Sequence, residues 1–174
     1  MTKVLIIDTS IFCVWLEVPG KTTCGSANDF WDKARVDRLL EAEIQSGTDL
    51  ILPLAAIIET GNHIAQASSR RYEMAQALAK IVIDAANSQT PWGAFTAQSH
   101  LWTSDNLKRL ATEWSTQLAI QEVSMGDATI KILAEYYADL PGCRVEIFTG
   151  DSGLKAYEPV PPIDIPKRRS QRSN

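Results

Sequence analysis

The chain has 174 residues, 45% of them hydrophobic and 22% charged, with a net charge of −4. This length favours one domain with a full hydrophobic core, and the composition excludes a chain disordered throughout. The acidic balance excludes broad electrostatic coating of nucleic acid, and no apolar run is long enough to span a bilayer or form a signal-peptide core, so a cytoplasmic location is expected.

Lys3 to Asp8 is β-branched and apolar and breaks at Asp8-Thr9-Ser10, which predicts a buried strand running into a loop. Val18 to Ser26 has loop chemistry, and Asn28 or Asp29 is placed to cap a helix running through Trp31, Val36, Leu40 and Ile44 to Gly47. Leu50 to Leu52 predicts a second strand, followed from Pro53 by a helix carrying Ile57, Ile58 and Glu59. Arg70 to Asn87 reads as a strong helix, and Ser88 to Ser104 as the least regular stretch. Asp105 is expected to cap a helix reaching about Leu118, and Ala119 to Val123 to form a third strand. A helix opening at Asp127 and a fourth strand over Val145 to Thr149 complete the body, taken as residues 1–158. Residues 159–174 form a basic tail with Lys167, Arg168, Arg169 and Arg172 against Asp164. Cys13, Cys24 and Cys143 show no metal-ligand spacing and read as buried thiols.

Strands alternating with helices predict an α/β fold with a mostly parallel sheet covered on both faces, whose ligand crevice lies beyond the carboxyl ends of the strands. Asp8 and Asp151 fall at such ends, while Glu59 and Asp127 sit on or at the start of helices. Carboxylates gathered in one place repel one another, and a divalent cation is the usual offset. Singly, each has an ordinary structural reading: a strand-end acceptor, a solvated helix residue, a helix-start acid, a turn residue.

Four motifs in order carry a resemblance: a hydrophobic strand ending in Asp8-Thr9-Ser10, Pro53 followed by Glu59, Gly126-Asp127-Ala128-Thr129, and Thr149-Gly150-Asp151. Together they resemble a PIN-domain nuclease, and within that superfamily the VapC-like ribonuclease toxins, over roughly Val4 to Leu154. The resemblance implies a three-layer α/β/α sandwich and metal-dependent endonucleolytic cleavage of RNA with Mg²⁺ or Mn²⁺. It implies Asp8, Glu59, Asp127 and Asp151 as the acidic site, with Asp8, Asp127 and Asp151 as metal ligands. Thr9, Ser10 and Thr149 would be hydroxyl companions holding carboxylates or water. An antitoxin protein partner and a homodimer are also implied. The chain departs from the compact toxins in its added length over Ser88 to Ser104 and at the C-terminus. An RNA-processing or DNA-acting nuclease without antitoxin, and a non-catalytic module binding RNA or protein, remain open.

Lys131 and Lys155 follow the acidic motifs and are candidates for a scissile phosphate, although solvated lysines or helix ion pairs are favoured. His63 lies one turn beyond Glu59, with a surface or partly buried role favoured over a site role. Trp92, Phe95 and Trp102 are read as loop anchors or a protein interface ahead of base stacking.

Overall fold

The computed structural model describes residues 1–160, and the basic tail lies almost wholly outside them. Strand β1 (Thr2–Ile7) forms the centre of a three-stranded parallel sheet. It pairs on one side with β4 (Asp49–Ile51) and on the other with β5 (Cys143–Phe148), in the order β4-β1-β5. The alternation of β1 assigns its faces. Val4 and Ile6 point into one core with Ile51, Val145 and Ile147, while Leu5 and Ile7 point into the other with Leu50 and Phe148. Both faces are apolar, as a parallel sheet requires.

Helices cover each face. Helix α6 (Met125–Ala138) supplies Ile130, Leu133 and Ala134 to the first core, with Leu110 from α5 (Ser104–Glu113). The second core takes Ile11, Phe12 and Val14 from α1 (Thr9–Trp15), Val36 and Leu40 from α2 (Lys33–Gln45), and Ala56 from α3 (Leu54–Gln66). A satellite core joins Ile64 of α3 to Met74 and Leu78 of α4 (Arg71–Ala86), with Cys13 and Val18. Each fully buried Leu, Ile or Phe is worth roughly 1.5–3 kcal/mol relative to exposure. The architecture is compatible with a three-layer sandwich.

Several sequence expectations are corrected. The chain does not loop after β1, because Asp8 caps α1 directly, its side chain accepting from Ser10 N. The stretch from Val18 is not all loop. It holds β2 (Thr23–Ser26), which pairs antiparallel with β3 (Asp29–Asp32) as a hairpin beside the main sheet. Trp31 therefore sits in a strand, its ring edge-on to Phe148 at 4.8 Å, and Asp32 rather than Asn28 or Asp29 caps α2. Thr103, not Asp105, caps α5.

The third strand over Ala119 to Val123 does not form. The chain widens into a π-type turn over Trp114–Leu118 and tightens into a 3-10 turn over Ala119–Gln121. Leu118 is buried while Ile120 is 79% exposed, and the Trp114 indole donates to Val123 O at 3.0 Å. One-sided anchoring by Leu118 and Trp114 wins over β-propensity.

The irregular stretch has a 3-10 helix over Phe95–Trp102. Trp92 is buried against Phe12, with ring centroids 6.4 Å apart, and Trp102 remains 44% exposed. Leu50 N donates to Pro91 O and Gly93 N to Leu50 O, both at 2.9 Å, so this stretch lines the outer edge of β4. The outer edge of β5 is met by side chains instead. Ile147 N donates to Glu158 Oε2 at 2.7 Å, and the Lys155 ammonium donates to Ile147 O at 2.9 Å. Among the described residues no helix is long and apolar enough to cross a membrane.

Candidate active site

The carboxyl ends of β1 and β5 carry the first pair of acids. Asp8 is 5% exposed and accepts three hydrogen bonds on Oδ2, from Ser10 N at 3.2 Å, Ser10 Oγ at 2.7 Å and Thr149 Oγ1 at 2.9 Å. Thr149 Oγ1 in turn accepts from Asp151 N at 2.9 Å, and Ser10 Oγ accepts from Gly150 N at 3.0 Å. Two hydroxyls thus tie the end of β1 to the turn after β5. Asp151 opens the short helix α7 (Ser152–Lys155), its Oδ1 accepting from Gly153 N at 2.7 Å.

The second pair comes from the helices. Glu59 lies in α3, and its Oε2 accepts from Thr9 Oγ1 at 2.8 Å. Asp127 lies in the first turn of α6, where Ser124 Oγ both accepts from Asp127 N at 3.0 Å and donates to Asp127 Oδ2 at 2.8 Å. Gly126 leaves room for the Glu59 carboxylate: a Cβ there would lie 2.2 Å from Glu59 Oε1.

All four carboxylates line one hollow of about 430 Å³ with Thr9, Ser10 and Ser124. Each uses one oxygen in the hydrogen bonds above, and its second oxygen makes none among the described residues. Asp127 senses its neighbours. Burial raises its carboxyl above the ordinary value, the Ser124 hydrogen bond opposes this, and the charges of Asp8 and Asp151 raise it further. A second hollow of about 710 Å³ shares Ser10, Cys24 and Asp151 with the first and is walled by Gly25, Ser26 and Asp29 of the hairpin.

The oxygen-only donor set suits a hard divalent cation. The spacing is a separate matter: among the described residues no group of three or more His, Cys, Asp or Glu side chains is arranged to hold a metal ion. Ligation would need the carboxylates to rotate toward one point. Cys13 and Cys24 also line the hollow, but burial pushes the Cys13 thiol up to about 11 and raises Cys24 too, so neither is a thiolate at neutral pH.

No family model matches the chain, and neither a curated protein nor a solved structure matches it.

Lys131 lines neither hollow. Its ammonium pairs with Glu113 and Glu135, each at 2.7 Å, the second an i,i+4 helix pair. Lys155 lines the larger hollow, with its ammonium held by Ile147 O and by Glu158 at 2.6 Å. Two other residues stand where these lysines were sought. His63 and Lys21 both line the acidic hollow. Burial lowers the His63 pKa, the Lys21 charge lowers it further, and Glu59 opposes both. The spacing from Glu59 already marked His63, whereas Lys21 has no motif. Its sequence signal is the Val18-Pro19-Gly20-Lys21 turn that follows the α1 segment.

Proposed function

We propose that this chain is a PIN-like, divalent-metal-dependent endoribonuclease, and that the acidic hollow is its active site. The observation that carries the reading is the convergence of Asp8, Glu59, Asp127 and Asp151 from four separate segments onto one hollow, each with an oxygen to spare. A structural role for one of them is ordinary, but four mutually repelling groups kept together call for a positive ligand.

Asp8, Asp127 and Asp151 would hold Mg²⁺ or Mn²⁺. When bound, the ion supplies positive charge against the carboxylates and the substrate phosphate, and acidifies a water for hydrolysis. Ser10 and Thr149 fix the orientation of Asp8, and Thr9 that of Glu59, so the chain limits where each charge can point. Glu59, on the helix opposite Asp127, would bind the ion through water or orient the attacking water. Hydrolysis would leave a 5′-phosphate and a 3′-hydroxyl. The further step to a toxin held by an antitoxin rests on the sequence resemblance.

The test is incubation of the purified protein with mixed tRNA, rRNA and single-stranded DNA in Mg²⁺ or Mn²⁺, beside an EDTA control and Asp127→Asn. RNA cleavage that needs metal and drops by about 10²-fold or more in Asp127→Asn is expected. Inertness with both metals, or cleavage that persists in EDTA, would sink the reading.

A further inference from the structure

We propose that Lys21 is the substrate-phosphate contact of this site, and that it grips the sugar–phosphate backbone without reading the bases. The inference rests on the nuclease reading above and deepens it.

The local sequence builds the position. Val18-Pro19-Gly20-Lys21 places proline second and glycine third, the composition of a type II turn, and Gly20 takes the φ of +80° that the third place requires. Lys21 N closes the turn on Val18 O at 2.8 Å. Val18 is 1% exposed, packs in the core shared by α3 and α4, and donates its N–H to Cys13 O at 2.9 Å. The turn is therefore anchored at its base, and its last residue is delivered to the rim of the acidic hollow.

Lys21 is the only lysine or arginine lining that hollow among the described residues. It also takes part in no ion pair among them, although four carboxylates line the same space. The two lysines that follow the acidic motifs are already engaged, Lys131 with Glu113 and Glu135, and Lys155 with Glu158. An anionic phosphodiester entering among four carboxylates is repelled, and a cation at the rim offsets part of that cost. A lysine ammonium is a compact point charge on a flexible stem, suited to phosphate oxygens and poorly suited to bidentate base recognition. The neighbouring hollow, joined through Ser10, Cys24 and Asp151, gives the backbone room to continue past the acids.

The test is fluorescence anisotropy of a labelled single-stranded oligoribonucleotide of mixed sequence, in Mn²⁺, across a range of salt. The protein carries Asp127→Asn to suppress cleavage, alone or with Lys21→Ala or Lys21→Arg. Lys21→Ala is expected to weaken binding about tenfold and to reduce the slope of log K against log salt by about 0.7, the value for one lost phosphate contact on a single strand. Lys21→Arg, which keeps the charge, is expected to retain the slope. Lys21 is exposed, so circular dichroism of both variants should match the parent. Binding with an unchanged slope in Lys21→Ala overturns the proposal and leaves the nuclease reading standing. If the parent binds no RNA while the wild-type protein cleaves none, both fall together.

Discussion

His63 reports on the electrostatics of the hollow one side chain at a time. Its neutral form is favoured by burial and by Lys21, and its charged form by Glu59. Only one other histidine, His100, is present, so ring-proton titration by NMR resolves the two. The midpoint of His63 is expected below 6.5, the ordinary value, rising in Lys21→Ala and falling further in Glu59→Gln. A midpoint that ignores Lys21→Ala would mean that the lysine does not face the ring. Three of the acids were legible from the sequence because each sits at a recognisable break, Asp8 at a strand end, Asp127 at a helix start and Asp151 in a turn, whereas Glu59 lies within α3 and was marked by its spacing from Pro53. Lys21 was not, because a lone lysine in a loop acquires its meaning only once the turn before it and the strands around it are folded.

At the scale of elements, the position of the Glu59 carboxylate between α3 and α6 depends on the absence of one methyl group. Glu59 Oε1 occupies the space that a side chain at Gly126 would take. Gly126→Ala is therefore expected to push Glu59 aside and lower cleavage by ~10²-fold, the cost of misplacing a catalytic group by about 1 Å. Melting temperature should hold, since alanine in a helix gains roughly 0.5–1 kcal/mol over glycine and Glu59 can swing toward solvent. A variant with full activity would show that Glu59 does not act from this position. The elements legible in the sequence were the helices with an apolar stripe, α2, α3, α4 and α6, and the short apolar runs of β1, β4 and β5. The 3-10 turn over Ala119–Gln121 in place of a strand was not, because Ala119, Ile120 and Val123 are apolar enough to pass for one, and only the burial of Leu118 and the Trp114 hydrogen bond decide against it. The β2–β3 hairpin was hidden for the opposite reason. The glycine, serine and threonine content of β2 reads as loop and Asp29 to Asp32 reads as the start of the next helix, and what holds the hairpin is the packing of Trp31 on Phe148, a contact across more than half the chain.

For the whole molecule, the burial of Asp127 among acidic neighbours should make stability depend on pH. The Asp127 carboxyl is raised in the fold above its ordinary 3.8. Its stabilising contribution is therefore complete below the unfolded value and is lost as pH rises through the folded one, the reverse of a salt-bridged aspartate. In EDTA at neutral pH, Asp127→Asn should melt higher than wild type, with the gap closing as pH falls below the unfolded value of the carboxyl. Mn²⁺ at a hundred times its Kd should reverse the ranking by adding about 2.7 kcal/mol to wild type alone. Scanning calorimetry in EDTA and in Mn²⁺ checks both, and a wild type that melts above the variant in EDTA would contradict the cost assigned to the charged Asp127 by its burial and by its acidic neighbours.

The Lys155–Glu158 pair on the outer edge of β5 has a consequence at the same scale. A strand edge displays donors and acceptors that another molecule can zip onto, and such edges are where folded proteins begin to aggregate. At Ile147 both groups of the edge are answered from within the chain, a carboxylate taking the N–H and an ammonium taking the carbonyl. The pair acts there as a gatekeeper: at that residue an incoming strand would have to displace two charged groups before it gained its first hydrogen bond.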